Sequence, residues 1–101
     1  MTRVVVRRAR EAPFERNLVE DASQYLGLRS LKLALRYDAG WPDRLWLLPA
    51  GRTFWTELKA PGKPLAELQH YRMKFLRDLG HDVAWFDNYD AACAALKERV
   101  R

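Results

Sequence analysis

The chain has 101 residues, enough for one domain near the lower size limit for a self-sufficient hydrophobic core. Eighteen Lys and Arg against 13 Asp and Glu give a formal net charge of +5, which favours a polyanion such as nucleic acid or an anionic membrane surface. The single cysteine excludes an internal disulfide, and no apolar run approaches the roughly 18 residues of a membrane-spanning helix. The apolar part of the first eight residues is too short for a signal peptide, so we expect a cytoplasmic protein.

Residues 1–12 form an arginine-rich arm, and residues 13–101 are predicted to form a single domain. Arg7 and Arg8 in the arm are candidates for contacts with DNA phosphates. The same segment also suits an edge strand or a dimer arm. A solvated, partly ordered terminus is an equally good interpretation.

The first predicted elements of the domain are a helix and a strand. Apolar residues recur at three- and four-residue steps from Pro13 to about Tyr25, which predicts a helix that ends at Gly27. From Leu28 to Tyr37 leucines alternate with other residues, which predicts a strand.

The remaining elements complete an α/β pattern. A hairpin is predicted over 43–59, a helix over 64–79, a strand over 81–86 and a terminal helix over about 89–100. The order α-β-β-β-α-β-α predicts a mixed central β-sheet flanked by helices. The 64–79 crossover is long enough to join two parallel strands.

Two acids and a lysine in the hairpin are the first candidates for a functional site. Asp43 begins one predicted strand, and Glu57 and Lys59 lie two residues apart near the end of the next. Side chains two apart on a strand point the same way, about 6.5–7 Å from each other. A hairpin that folds Asp43 beside them would create oxygen ligands for Mg²⁺. A solvated cross-strand ion pair is the structural alternative, worth only about 0–1 kcal/mol.

The wider motif resembles a nuclease family. Residues 40–44 have the pattern Gly-x-Pro-Asp-Arg, residues 57–63 are Glu-Leu-Lys-Ala-Pro-Gly-Lys, and Gln69 follows on the next helix. This arrangement resembles the VRR-NUC family, the virus-type replication-repair nuclease branch of the PD-(D/E)xK superfamily. The resemblance covers roughly residues 14–90, and it implies a restriction-endonuclease-like core.

The resemblance also implies roles for particular residues. Asp43 and Glu57 match the metal-binding acids and Lys59 the catalytic lysine, while Gln69 matches the family's helix glutamine. Such nucleases also place an acid on the first helix. The best match for that metal-binding and catalytic position is Glu20, with Glu15 as the second choice.

Further contacts are expected around these residues. The backbone carbonyl of Leu58 lies between the two site-facing side chains and is a candidate metal ligand. Lys32 lies where similar proteins often carry a lysine near the site. Arg44, Lys63 and Lys32 are candidates for binding DNA.

The function implied is Mg²⁺-dependent hydrolysis of DNA, with Mn²⁺ as an alternative ion and no organic cofactor. Contacts to phosphate carry no sequence information, so selection by DNA structure is favoured over selection by sequence. Stand-alone members resemble Holliday-junction resolvases, which predicts a homodimer acting on branched DNA with no role for a membrane. The alternatives are a flap or splayed-arm nuclease, a small restriction-type enzyme, and a non-cleaving DNA-binding component of a replication or repair complex.

Overall fold

The computed structural model describes residues 12–101, and these form a four-stranded mixed sheet with helices on both faces. The predicted α/β class is confirmed. No helix within residues 12–101 is both long and apolar enough to cross a membrane. The elements in chain order are helix α1 (Glu15–Asp21), strands β1 (Arg29–Lys32), β2 (Arg44–Leu47) and β3 (Thr53–Leu58), helix α2 (Glu67–Asp78), strand β4 (Val83–Phe86) and helix α3 (Tyr89–Arg99).

The first helix ends where the sequence predicted. After α1 the chain continues into a single wide π-helical turn, Ala22–Leu26. Gly27 then adopts a left-handed conformation with φ of 67°, which a residue without a side chain tolerates at no steric cost. The Leu28 amide donates to the Ala22 carbonyl at 3.0 Å, and the chain turns into β1.

The sheet has the order β1-β2-β3-β4. The first two pairings are antiparallel and the third is parallel, with α2 forming the crossover as predicted. In the β2–β3 ladder Arg44 pairs with Thr56. One step further along the same register, Asp43 lies opposite Glu57.

The first strand is shorter than predicted, so the extension of the strand from 33 to 37 is wrong. The last inter-strand contact runs from the Leu33 amide to the Asp43 carbonyl at 2.6 Å. The next residue on the partner side is Pro42, which has no amide hydrogen to continue a ladder. The chain therefore leaves the sheet and forms a loop over residues 33–42.

Two hydrophobic clusters lie on opposite faces of the sheet. The larger packs α1 and α3 against the sheet, and Trp46 and Phe54 are its largest fully buried side chains. The smaller packs α2 against the other face through Leu65, Met73, Leu76 and Val83. The helix predicted over 64–79 spans Glu67–Asp78 in the structure, and Leu68 and Leu79 of the predicted range are exposed.

Candidate active site at the ends of the central strands

The two acids and the lysine of the hairpin meet at one end of the sheet. Asp43 immediately precedes β2 and lies opposite Glu57 in the extended register of β3. Glu57 is 7% exposed, and its Oε2 lies 3.9 Å from the Nζ of Lys59. The expected convergence of these three side chains is therefore present in the structure.

The two carboxylates are close enough to repel each other. Burial, and then the charge of Asp43, raise the pKa of Glu57 to about 7, although Lys59 acts in the opposite direction. Burial also raises the pKa of Asp43, and the ammonium of Lys32 offsets only part of this effect. A cation between the two acids would relieve both effects.

Asp43 has an unsatisfied oxygen. Its Oδ2 accepts a hydrogen bond from Lys32 at 3.3 Å, whereas its Oδ1 is buried and has no hydrogen-bond partner among residues 12–101. A buried carboxylate oxygen without a partner is costly, because it has lost its water. A hard cation held by one or two carboxylates and several waters fits this donor pair. Across residues 12–101, no group of three or more His, Cys, Asp or Glu side chains could hold a metal ion.

Of the two candidate acids on the first helix, Glu15 contacts Lys32 and Arg44, whereas the preferred candidate Glu20 pairs with Arg16; the catalytic role of either acid stays a prediction. Glu15 is 5% exposed, and its Oε2 accepts from Lys32 Nζ at 2.7 Å and from Arg44 Nη2 at 2.7 Å. The Glu20 side chain is 63% exposed and pairs with Arg16 at 3.3 Å. It lies on the wall of an open cleft of about 630 Å³, which Glu15 and Lys32 also line.

A signal for Glu15 was present in the sequence. Glu15, Leu18 and Ala22 follow three- and four-residue steps, so a carboxylate occupies the buried stripe of α1. Glu20 is five residues further on, which turns its side chain by about 140° around the helix axis. A charged residue is seldom buried without a partner. The position of Glu15 on the apolar stripe therefore indicates a cationic side chain on the sheet.

Arg44 is committed to the protein interior, which contradicts its predicted contact with DNA. Its side chain is 12% exposed. The guanidinium donates to Glu15 through Nε and Nη2 and to Ser30 Oγ through Nη1 at 2.9 Å. Both donors to Glu15 meet the same oxygen, Oε2, and these charge-assisted hydrogen bonds tie α1 to the sheet.

Lys32 connects the buried ion pair to the strand ends. Its ammonium donates to both Glu15 and Asp43. Burial lowers the pKa of Lys32, but the hydrogen bond to Glu15 and the charges of both acids outweigh burial, so the net pKa is raised. Lys32 therefore stays protonated beside Asp43.

The remaining predicted residues occupy several environments. Gln69 is partly buried, and its Oε1 accepts from the Ala66 amide at 2.8 Å, which caps the first turn of α2. Lys63 is exposed in a turn that its own amide closes onto the Ala60 carbonyl at 3.0 Å. Leu58 is buried in β3, and Arg7 and Arg8 lie outside the described residues.

The fold defines the class of protein. No family model matches the sequence. A solved structure described as "VRR_NUC domain" superposes with a TM-score of 0.69 at 23% identity, over 82% of this chain and 89% of that chain. The fold is therefore that of a VRR-NUC domain, as the resemblance predicted.

The sequence comparison gives the family. The chain is 34% identical over 85 residues to "Putative nuclease p44" of Acyrthosiphon pisum secondary endosymbiont phage 1. The alignment covers 84% of this chain and 90% of the phage protein. The chain belongs to the same family as this phage protein.

Proposed function

We propose that the protein is a Mg²⁺-dependent DNA endonuclease that selects branched DNA and acts as a homodimer. The observation that carries the proposal is the meeting of Asp43, Glu57 and Lys59 at neighbouring strand ends, with one buried Asp43 oxygen that has no partner in the described part of the chain. The phage relative is described as a nuclease, and the fold is shared with a VRR-NUC domain.

Asp43 and Glu57 are the residues that would hold the cation, with the carbonyl of Leu58 as a further donor. A bound divalent cation supplies charge neutralisation on the phosphoryl oxygen and a water of lowered pKa. The two carboxylates need such a charge, because burial raises the pKa of both acids and the charge of Asp43 raises the pKa of Glu57 further. Mn²⁺ prefers the same oxygen ligands and is expected to substitute.

Hydrolysis joins a water oxygen to phosphorus while the bond from phosphorus to the leaving oxygen breaks. The attacking water loses a proton and the leaving oxygen gains one. Lys59, two residues after Glu57 on the same strand face, would orient the water or stabilise the negative charge that develops on the phosphoryl group. Loss of one such donor commonly costs on the order of 10²–10³ in rate.

The ion pair behind Asp43 would set the position of the acid. Lys32 donates to one oxygen of Asp43 and is itself held by the buried Glu15. The other Asp43 oxygen is left without a partner among the described residues. Glu15 is thus proposed as a positioning residue, and Gln69 is proposed to donate through its amide group while its oxygen caps α2.

Branched DNA is proposed as the substrate because contacts of Lys and Arg with phosphate position a protein on DNA without reading its sequence. A four-way junction has approximate two-fold symmetry, so a homodimer could place one site on each of two strands. A flap or splayed-arm substrate would instead require only one site at the branch.

The test is a cleavage panel with labelled four-way junction, flap, splayed-arm and plain duplex substrates, in Mg²⁺ or in EDTA. We expect cutting only with Mg²⁺ and fastest on the junction. Preferential cutting of the flap or splayed arm would assign the alternative substrate, and equal cutting of all four would refute structure selection. Lys59→Ala should bind DNA as the native protein does but fail to cut, whereas unchanged cutting would show that the catalytic centre lies elsewhere.

A further inference from the structure

The loop over residues 33–42 begins and ends at the proposed site. It leaves β1 directly after Lys32 and enters β2 at Asp43, and the Leu33 amide bonded to the Asp43 carbonyl closes its base. At its far end Tyr37 is 91% exposed, and the guanidinium of Arg36 lies 6.0 Å from the centre of the Tyr37 ring. Tyr37 therefore contributes almost no buried surface to the fold.

The residues that follow Tyr37 are fastened to helix α2. Arg72 donates through Nη2 to Asp38 Oδ1 at 3.0 Å and through Nε to the Ala39 carbonyl at 3.1 Å. Its guanidinium also lies over the ring of Trp41 at 4.7 Å. The exposed tyrosine is thus presented from a fixed loop.

A glycine lets the loop approach the helix closely. Gly40 has φ of 90°, and a Cβ at this position would lie 2.5 Å from Cγ of Leu68 and 3.2 Å from Cγ of Arg72. The Trp41 ring meets Phe75 of the same helix edge-on at 5.8 Å. These contacts hold Gly40 and Trp41 against α2, whereas residues 34–39 are exposed.

We propose that Tyr37 is a stacking platform for an unpaired DNA base beside the cleavage site. The inference rests on the proposed function and adds a feature by which a branch is distinguished from continuous duplex. An exposed aromatic ring accepts any base that has left the helical stack, whereas a paired base inside a duplex offers no free face. Arg36 supplies a positive charge next to the ring for the adjoining phosphate.

The reach of the loop fits this role. Tyr37 is six residues from Asp43, and an extended chain spans at most about 3.3–3.6 Å per residue, so the two are within about 20 Å. Each nucleotide advances a duplex strand by about 3.4 Å along the axis. The contacted base therefore lies within about six nucleotides of the phosphate at Asp43.

The test compares the affinity of Tyr37→Ala for a forked duplex with unpaired arms and for a plain duplex of equal length, in EDTA so that neither is cut. Stacking of one base on an aromatic ring predicts a loss of about 5- to 150-fold for the fork and less than twofold for the duplex. Tyr37→Trp should restore the affinity for the fork. Tyr25→Ala is the matched control, because Tyr25 is also exposed but lies on the π-helical turn.

Three results would overturn the inference. One is native affinity of Tyr37→Ala for the fork, and another is an equal loss for fork and duplex. The third is unchanged DNA affinity together with a changed oligomeric state in sedimentation, which would assign Tyr37 to a contact between protein copies. Failure of the proposed function would appear separately, as absence of Mg²⁺-dependent cutting by the native protein.

Discussion

At the residue scale, burial and the neighbouring charge of Asp43 disfavour the negative charge of Glu57. The pKa of this acid is about 7 in the folded protein, above its ordinary value of 4.5. A raised carboxyl pKa means that the folded state favours the neutral form. The associated stability is present below pH 4.5 and is lost as the pH rises towards 7.

Glu57→Gln should therefore stabilise the protein when no cation is bound. At pH 8 in EDTA we expect a gain on the order of 1–3 kcal/mol in the free energy of unfolding, because the amide cannot ionise. At pH 4.5 the variant and the native protein should unfold at the same temperature. Thermal unfolding at the two pH values measures this, and a variant that is less stable at pH 8 would contradict it.

A second prediction concerns the two glutamates of the first helix. Glu15→Gln leaves Lys32 and Arg44 without their buried countercharge and should cost about 3–5 kcal/mol of stability. Glu20→Gln alters only an exposed pair with Arg16 and should stay within about 0.5 kcal/mol of the native protein. Urea unfolding of both variants tests the assignment, and an equal loss in the two would refute it.

The positions of the acids could be predicted from the sequence better than the residues that hold them in place. Asp43, Glu57 and Lys59 could be predicted to converge because strand periodicity and a short hairpin fix their relative positions. Glu20 fits the motif better than Glu15, but the helical stripe places Glu15 against the sheet and leaves Glu20 exposed. The burial of Arg44 could not be predicted from the sequence, because it depends on Glu15, which lies 29 positions away in the chain.

At the element scale, the connection between β1 and β2 differs most from the prediction made from the sequence. Alternating leucines predicted a strand to Tyr37, but Leu31 and Leu35 are exposed. Period-two alternation identifies a face and does not show how far a partner strand extends. Here Pro42 ends the partner, and the freed segment becomes the loop held by Arg72.

Arg72→Ala should loosen this loop without unfolding the domain. It removes two hydrogen bonds and a cation–π contact from residues 38–41, so amide hydrogen exchange should accelerate there while β3 stays protected. Arg72→Lys should recover little, because lysine lacks the planar fork.

Lys74→Ala is the control for this prediction. Lys74 lies on the same helix but pairs only with Asp78 on the exposed face. In Lys74→Ala, the amides of residues 38–41 should exchange at the native rate. Native exchange in Arg72→Ala would show that the loop is held by other contacts.

At the scale of the whole molecule, the net charge of +5 favours contact with the DNA backbone. The exposed Lys63, in the turn between β3 and α2, places one positive charge on the side of the candidate site. Each phosphate contact releases counterions, so affinity falls as salt rises. Lys63→Ala should lower the slope of log K against log[salt] by about one. Lys97→Ala on α3, across the sheet from α2, should leave the slope unchanged, and equal effects of both substitutions would contradict a defined binding face.

The proposed activity requires Asp43 and Glu57 to act together as the ligands of one divalent cation. Titration calorimetry with Mn²⁺ on the native protein, Asp43→Asn, Glu57→Gln and Glu20→Gln measures this directly. We predict binding by the native protein and by Glu20→Gln, and a loss of at least tenfold in affinity for the other two variants. Native Mn²⁺ affinity in Asp43→Asn would contradict the account.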